Sequence, residues 1–219
     1  MEDLAPQALL DTYDGERICA ADENIQATTR STDFITPKGN ASRTFRNAVL
    51  GLAKHHAFAR RLVNSGRLSV PALLAHSSLN TADAPGDAFA CAMVPGACAA
   101  DAPVMGRRGD WLLAHLNGEF TLLAFDASVT PAAVATLATD SIACAVIQVG
   151  GAPVSGACLI EDEDGLLAQR YDAKPNTCYL VRPDQHICAR WRTFDLARVR
   201  AAIARATGAV ELAMNKEAA

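Results

Sequence analysis

The stretch Phe120–Phe125 (FTLLAF) constrains the fold of this chain more than any other segment. A nearly continuous apolar run of this length is typical of a strand that is buried on both faces of a parallel sheet. Thr130 then offers an N-cap, and Pro131 suits the first turn of a helix. Ile142–Val149 predicts a second strand. Strand, helix and strand at this spacing predict a right-handed parallel crossover within an α/β fold.

The region that follows continues this pattern. Glu161–Asp164 is acidic but lacks the alternating ligand spacing of a calcium loop, so we interpret it as a solvated turn. The further predicted elements are a helix over Gly165–Tyr171, strands over Thr177–Arg182 and Ile187–Arg192 around a turn at Pro183–His186, and a helix over Leu196–Ala206. Asp195 can cap this last helix and Gly208 can end it.

The order strand-helix-strand, helix, strand-strand-helix predicts a thioredoxin-like domain over residues 103–210. Pro175 lies where that fold commonly places a cis-proline. Redox catalysis in such domains uses a low-pKa thiolate at a helix N-terminus, usually with a second Cys nearby. The position after the first strand holds Asp126–Ser128 instead. We therefore expect a thioredoxin-like domain without redox cysteines.

The seven cysteines form no C-x-x-C pair and no Cys/His cluster with zinc spacing. We expect them to be reduced, mostly buried residues of a cytoplasmic protein. In the predicted hairpin, placing Arg182 opposite Ile187 sets Cys178 opposite Trp191. Cys178 and Cys188 would then not be cross-strand partners.

The N-terminal residues 1–66 are predicted to be helical. A short amphipathic turn precedes Gly15, Glu16–Thr29 is a candidate helix, and Pro37–Gly39 interrupts the chain. Asn40 can cap a helix over Ala41–His56. The expected apolar face consists of Phe45, Ala48, Val49 and Leu52, extended by Phe58 and Leu62. Such a face would be exposed or would self-associate if its neighbouring domain were absent.

Residues 67–102 change character, because Pro, Gly, Ala and Ser recur without sustained periodicity. We interpret this segment as an extended connector and, given its length, as an inter-domain arm. Residues 211–219 are predicted to be a tail. Ser141–Ile160 carries no charge, but Gln148, Gly150 and Gly151 interrupt it, so a strand, a turn and a second extended piece are expected rather than a membrane span.

Charge is unevenly distributed. Between Arg30 and Arg67 there are eight Lys or Arg residues and one acid, whereas the whole chain has a net charge of −4. The acidic total argues against nucleic acid as a partner. The basic segment is either a solvated helical face or a surface that docks against an acidic neighbour.

Several stretches, in the correct order, resemble the C-terminal portion of FAD-dependent aromatic-ring hydroxylases, such as phenol, pentachlorophenol and hydroxyphenylpropionate hydroxylases. They are LLDTYDGERICAADENI (9–25), TTRSTDFITPKGNASRTFR (28–46), WLLAHLNGEFTLLAF (111–125), DEDGLLAQRYDAKPNT (162–177) and YLVRPDQHICARWR (179–192). The resemblance implies a parent reaction in which FAD, NAD(P)H and oxygen hydroxylate a phenol-like ring, with the flavin carrying the chemistry.

The glycine-rich turn that such enzymes use to hold FAD, G-x-G-x-x-G between a strand and a helix, does not occur in this sequence. Gly86-Asp87-Ala88 shares the first letters of the second FAD motif but lacks the Pro- and Gly-rich loop after it. We therefore assign no catalytic, cofactor-binding or metal-binding residue, and we expect this chain alone to bind no FAD or NAD(P)H.

The histidines and the hairpin arginines are better explained by ordinary structural roles than by catalysis. His55 and His56 end a helix, where a cation suits the dipole, and His186 is expected to be solvated in the hairpin turn. Arg182, with Arg190 or Arg192, could pair with acids of a partner domain, although surface ion pairs are commoner.

The sequence thus predicts the C-terminal part of a flavin-dependent monooxygenase: helices from the FAD/substrate half, a connector and a thioredoxin-like domain. The expected partner is an FAD-binding domain or subunit, and homo-oligomerisation is an open alternative. A free-standing interaction or dimerisation module without redox activity is the second hypothesis. No membrane partner is expected.

Overall fold

The computed structural model describes residues 6–64, 71–126 and 128–209, and within these ranges the chain forms six α-helices, one 3₁₀ helix and six strands. The helices are α1 (Gln7–Ile35), α2 (Asn40–Ala53), α3 (Ala57–Asn64), α4 (Pro131–Thr139), α5 (Leu166–Arg170) and α6 (Leu196–Ala206), with the 3₁₀ helix at Leu112–His115. The strands are β1 (Met105–Gly106), β2 (Phe120–Phe125), β3 (Cys144–Val149), β4 (Cys158–Glu161), β5 (Cys178–Val181) and β6 (Ile187–Trp191).

The chain divides into two compact units. The sheet unit contains Leu73 and everything after it, together with the N-terminal end up to Asp14. The helical unit contains Gly15–Ala72. The predicted tail, residues 211–219, lies outside the described residues. The predicted division at residues 66 and 102 therefore differs from the compact units, and its meaning in a parent enzyme stays a proposal.

The described strands form a single sheet in the order β1-β4-β3-β2-β5-β6. β2 runs parallel to β3, with Phe120 opposite Cys144, and antiparallel to β5. β3 and β4 are also parallel, so the predicted strand, turn and extended piece over Ser141–Ile160 is confirmed. All six residues of β2 are buried, as its unbroken apolar pattern predicts.

The predicted helix caps of this unit are present. Thr130 accepts a hydrogen bond from the backbone N–H of Ala133 at 3.2 Å, and Pro131 occupies the first turn of α4. Asp195 accepts one from the backbone N–H of Arg198 at 3.1 Å and so caps α6. These side chains satisfy helix amides that have no partner within their own helix.

Both faces of the sheet are covered. On one face, α4 and α6 bury a cluster that includes Leu122, Leu137, Leu180, Val199 and Ile203. On the other face, α5, the 3₁₀ helix and part of the connector bury a second cluster, which includes Leu112, Leu123, Leu167, Tyr171 and Tyr179. Alternate residues of β2 therefore enter different cores, as the twofold periodicity of a strand requires.

The hairpin of β5 and β6 follows the predicted register except near its turn. Cys178 lies opposite Trp191, as expected, but Ile187 pairs with Val181 rather than with Arg182. A β-bulge causes this shift, because the extra residue displaces the pairing by one position. Residues two apart in a regular strand lie on the same face of the sheet. Because of the bulge, Ile187 and Ala189 lie on opposite faces instead.

Two further expectations concern backbone geometry and membranes. The predicted cis-proline at Pro175 is wrong, since no cis peptide bond occurs among the described residues. None of the helices in the described ranges combines the length and the apolar character needed to cross a bilayer.

The helical unit differs from its sequence pattern at three points. α1 continues through Gly15 as one helix instead of ending there, because the chain after Gly15 keeps helical hydrogen bonding. The N-cap of α2 is Gly39, in extended backbone, and Asn40 is the first helical residue, so the predicted cap at Asn40 is wrong. Val49 is buried, whereas the rest of its predicted apolar face stays exposed, with Phe45 at 61%.

The part of the predicted connector over residues 73–102 packs on the sheet. It belongs to the sheet unit, where it follows the outer edge of β6 and contributes Ala99 and Ala102 to the core. Its backbone hydrogen bonds to β6 run from Thr81 N to Cys188 O (2.7 Å) and from Gly96 N to Ile187 O (2.7 Å). The open edge of the sheet is thereby closed by chain that has no regular secondary structure of its own.

We expect Val199→Ala to lower the free energy of unfolding of the sheet unit by about 1–4 kcal/mol, because the lost methyl groups leave a cavity. Val199 is fully buried between α6 and the sheet. The measurement is urea unfolding of the full chain, with Arg205→Ala on the exposed side of α6 as the matched control. Equal midpoints for the two variants would contradict the packing of α6.

We also expect the helical unit to exchange its amide hydrogens faster than the sheet unit. Within the described part of that unit, Val49 and Ala59 are the buried apolar residues, so few contacts resist local opening. Hydrogen exchange read by mass spectrometry should show α1–α3 opening before β2. Equally slow exchange in both units of a dilute monomer would reject this expectation.

Candidate functional site

The carboxyl ends of β2 and β3 border a cleft of about 270 Å³. Asp126, Glu161, Asp162 and Lys174 are its charged residues. Asp162 is not available as a ligand, because its carboxylate accepts the backbone N–H groups of Leu167 (3.1 Å) and Ala168 (2.8 Å). No Cys or His lines this cleft. The residues present do not support thiol chemistry there.

The cysteines carry no disulfide: all seven are free thiols. Cys144, Cys178 and Cys188 are buried, whereas the other four are half-buried. Burial raises the pKa of Cys178 to about 12, and burial likewise raises the pKa of Cys188 to about 12. A thiol with such a pKa is protonated at neutral pH and is a poor nucleophile, which agrees with a structural role.

The densest polar cluster lies where the connector crosses β6. Arg190 is 4% exposed and binds Asp83 through both ends of its guanidinium group, at 2.9 Å (Nε–Oδ1) and 2.7 Å (Nη2–Oδ2). Arg190 Nη1 also donates to the carbonyl of Met93 at 3.0 Å. The bidentate geometry makes this one of the stronger kinds of charge-assisted pair.

Phe89 is held between two guanidinium groups of the same strand face. The carbon of the Arg190 guanidinium lies 4.2 Å from the centre of the Phe89 ring, and that of Arg192 lies 3.8 Å from it. Arg192 also donates to the carbonyl of Ala88 and to the carboxylate of Asp172. We call Arg190, Arg192, Phe89 and Asp83 the arginine clamp. It fastens residues 83–93 to the sheet through cation–π and ionic contacts.

Two buried tyrosines continue the clamp into the core. Tyr179 OH donates to the carbonyl of Tyr171 and lies 3.4 Å from Cys91 Sγ, and Tyr171 OH donates to the carbonyl of Ala100 at 2.9 Å. Burial raises the pKa of both phenols. Each hydroxyl therefore stays protonated as a donor, and both ends of the connector are tied to the same core.

The clamp corrects one expectation about the hairpin arginines. Arg190 and Arg192 pair with Asp83 and Asp172 of this chain, rather than with acids of a partner domain. Arg182 also pairs locally, with Asp184 at 2.7 Å. The alternation of Arg190 and Arg192 was visible in the sequence, but Phe89 and Asp83 lie about 100 residues earlier without any local signal.

His186 is not solvated as expected, since its side chain is 14% exposed and its Nδ1 lies 3.3 Å from Asp184 Oδ2. Burial alone would raise the pKa of the Asp184 carboxyl. Hydrogen bonding from His186 and the charges of Arg182 and His186 outweigh burial and lower this pKa well below its usual range. These contacts stabilise the hairpin turn and leave no open acid–base pair.

The other residues that the sequence suggested as candidates, Asp87, His55 and His56, also show no sign of a catalytic or metal-binding role in the described part of the chain. Asp87 approaches Arg198 at 3.5 Å, and Gly86-Asp87 lies in a turn that no helix follows. α2 ends at Ala53, so His55 and His56 lie in the turn between α2 and α3, and the prediction that they end a helix is wrong. Within the described ranges, no group of three or more His, Cys, Asp or Glu side chains is placed to share a metal ion.

The helix N-termini of the sheet unit do not fit the pyrophosphate of FAD. Such a group needs exposed backbone N–H groups at the start of a helix that follows a strand. The first turns of α4, α5 and α6 are already capped by Thr130, Asp162 and Asp195. Two of these caps are carboxylates, which would repel a phosphate. α2 begins without a side-chain cap, but no strand precedes it.

No protein-family model matches this chain, and no curated protein sequence matches it. Solved structures do. The flavin-dependent monooxygenase PieE, with FAD and substrate, matches 94% of this chain and 41% of its own, with a TM-score of 0.65 and 22% identity. The rebeccamycin biosynthetic enzyme RebC, with reduced flavin, matches 94% and 38%, with a TM-score of 0.61 and 20% identity.

Aklavinone-11 hydroxylase, with FAD and aklavinone, matches 94% of this chain and 36% of its own, with a TM-score of 0.58 and 20% identity. The chain shares its fold with part of these flavin-dependent monooxygenases. It spans about two fifths of their length. The resemblance read from the sequence is thereby confirmed at the level of fold.

We expect Asp83→Asn to lower the free energy of unfolding by about 1–3 kcal/mol, because Arg190 stays buried without its carboxylate. Hydrogen exchange should rise in residues 83–93. Asp164→Asn is the matched control, since Asp164 is an exposed acid, and it should shift stability by less than about 0.5 kcal/mol. Equal effects of the two substitutions would show that the clamp does not hold the connector.

Proposed function

We propose that this chain is the C-terminal portion of a flavin-dependent monooxygenase that hydroxylates phenol-like rings with FAD, NAD(P)H and oxygen. The observation that carries the proposal is the shared fold over 94% of this chain with enzymes that are more than twice as long. The flavin chemistry is supplied by an FAD-binding domain or subunit, which is the partner of this chain. A cytoplasmic location is part of the proposal.

On its own the chain is structural in this proposal. Residues 1–66 are the helical tail of the FAD/substrate half in this proposal, residues 67–102 are the connector, and residues 103–210 are a thioredoxin-like domain that supports packing. The strand order β3-β2-β5-β6, with α4 and α6 on one face, supports the thioredoxin-like assignment. The raised pKa values of Cys178 and Cys188 support a domain without redox activity. We assign no catalytic, cofactor-binding or metal-binding residue.

The helical unit supports a missing neighbour. Phe45, Phe58 and Leu62 are 61%, 59% and 52% exposed, although large apolar side chains are normally buried in a completed domain. The same exposure also favours the alternative function, a free-standing interaction or dimerisation module. The two functions differ in whether flavin accompanies the chain in cells.

Flavin absorption, measured in two preparations of the chain, distinguishes a monooxygenase part from a free-standing interaction module. The purified recombinant chain should be colourless after desalting, because the helices that follow a strand, α4, α5 and α6, are already capped at their N-termini. Material recovered from native cells with an antibody against the chain should be yellow, either as a longer polypeptide or with a bound flavoprotein.

A colourless native precipitate containing a 23.1 kDa chain alone would reject the monooxygenase proposal and favour the interaction module. A yellow recombinant chain would show instead that this chain binds flavin without the expected glycine turn. An unrelated antibody on the same lysate is the control for adventitious flavoproteins.

A further inference from the structure

The helical unit contains a cavity of about 570 Å³ between the C-terminal half of α1 and helices α2 and α3. Its volume is typical of sites that hold a small organic molecule, and spaces between packed helices are common places for such sites. Phe34, Leu50 and Leu62 are among its apolar wall residues, and Arg30, Ser31 and Arg46 are its polar ones. The wall is therefore apolar with a few polar groups at defined positions.

The hydrogen bonds of the polar residues show which of them remain available. Ser31 is 3% exposed, and its hydroxyl donates to the carbonyl of Ala27 at 2.9 Å. Arg46 Nη1 donates to the carbonyl of Ile35 at 3.0 Å, and its other nitrogens donate to Asn47 Oδ1. Arg30 is exposed, and among the described residues its side chain has no hydrogen bond and no ion pair.

The charges of the wall point to the sign of the ligand. The described wall residues of the cavity include two guanidinium groups and no Asp or Glu. Asp33, the nearest acid on α1, is directed to Lys38 at 3.5 Å. An anion would therefore meet uncompensated positive charge, whereas a cation would be repelled. A guanidinium group recognises carboxylate and sulfonate groups through parallel N–H donors.

We propose that this cavity binds an amphipathic monoanion, an apolar aliphatic or aromatic body that carries one carboxylate. The body lies against Phe34, Leu50 and Leu62, and the carboxylate pairs with Arg30. Arg46 adds positive charge while its donors hold the end of α1 to α2. The ligand differs from FAD, because the cavity offers an arginine and an apolar wall rather than a row of free helix amides.

The test of this site is made on the chain alone, so its outcome is separate from that of the proposed function. Its test uses decanoate and its neutral analogue decanamide, titrated calorimetrically into the full chain. Decanoate should bind with one-to-one stoichiometry and about tenfold more tightly than decanamide, since the amide lacks the charge that Arg30 recognises. Arg30→Gln should weaken decanoate binding by about tenfold and leave decanamide binding unchanged.

Two control variants, Arg43→Gln and Ile25→Glu, test whether decanoate binds in the cavity itself. Arg43→Gln removes an exposed cation of α2 outside the cavity and should leave decanoate affinity unchanged. Leu50→Glu, inside the cavity, should abolish binding, whereas Ile25→Glu, at an exposed apolar position of α1, should not. Far-UV circular dichroism checks that each variant keeps its helices.

Three results would overturn the proposal. Decanoate and decanamide could bind equally, which would reduce the site to a nonspecific apolar surface. Arg43→Gln could weaken binding as much as Arg30→Gln, which would make the attraction a property of the whole basic segment. Absence of decanoate binding to a chain with intact helices would indicate that the wall is a docking surface for protein instead.

Discussion

The burial of β2 on both faces is the constraint on which the sheet unit depends. A strand with no exposed residue must have a hydrogen-bonded neighbour on each side and a covering layer above and below. β3 and β5 are the neighbours, α4 and α6 form one layer, and α5 with part of the connector forms the other. The remaining strands extend the sheet outward from these neighbours, β4 beside β3, β1 beside β4 and β6 beside β5.

The connector shows how irregular chain can complete a sheet. Edge strands leave unpaired backbone groups, and β6 would be such an edge. The connector satisfies those groups without forming a strand, and Arg190 holds it in place through Asp83 and Phe89. Gly96 adopts a φ of 93°, and a Cβ there would overlap the Leu74 carbonyl. Side-chain contacts and one glycine thus help to hold the connector at the edge of β6, where a regular ladder of strand hydrogen bonds is absent.

Local patterns predicted most elements of the sheet unit, because its strands and caps are encoded within short stretches. β2, the cap at Thr130 and α6 follow from neighbouring residues alone. The clamp could not be predicted, since Phe89 and Arg190 meet only after the sheet has formed. The hairpin bulge escaped prediction for a related reason: it depends on fitting Ile187 and Ala189 into two different cores.

The two units differ in how completely each buries its own apolar side chains. The sheet unit buries two clusters of apolar side chains and has connector residues hydrogen-bonded along its β6 edge. In the helical unit, Phe45 and Phe58 stay exposed, and neither is among the described wall residues of the cavity that Arg30 and Arg46 line. Exposed apolar side chains such as these are stabilised when an apolar neighbour covers them. The covering of these side chains is therefore where a larger assembly would contribute most to the stability of this chain.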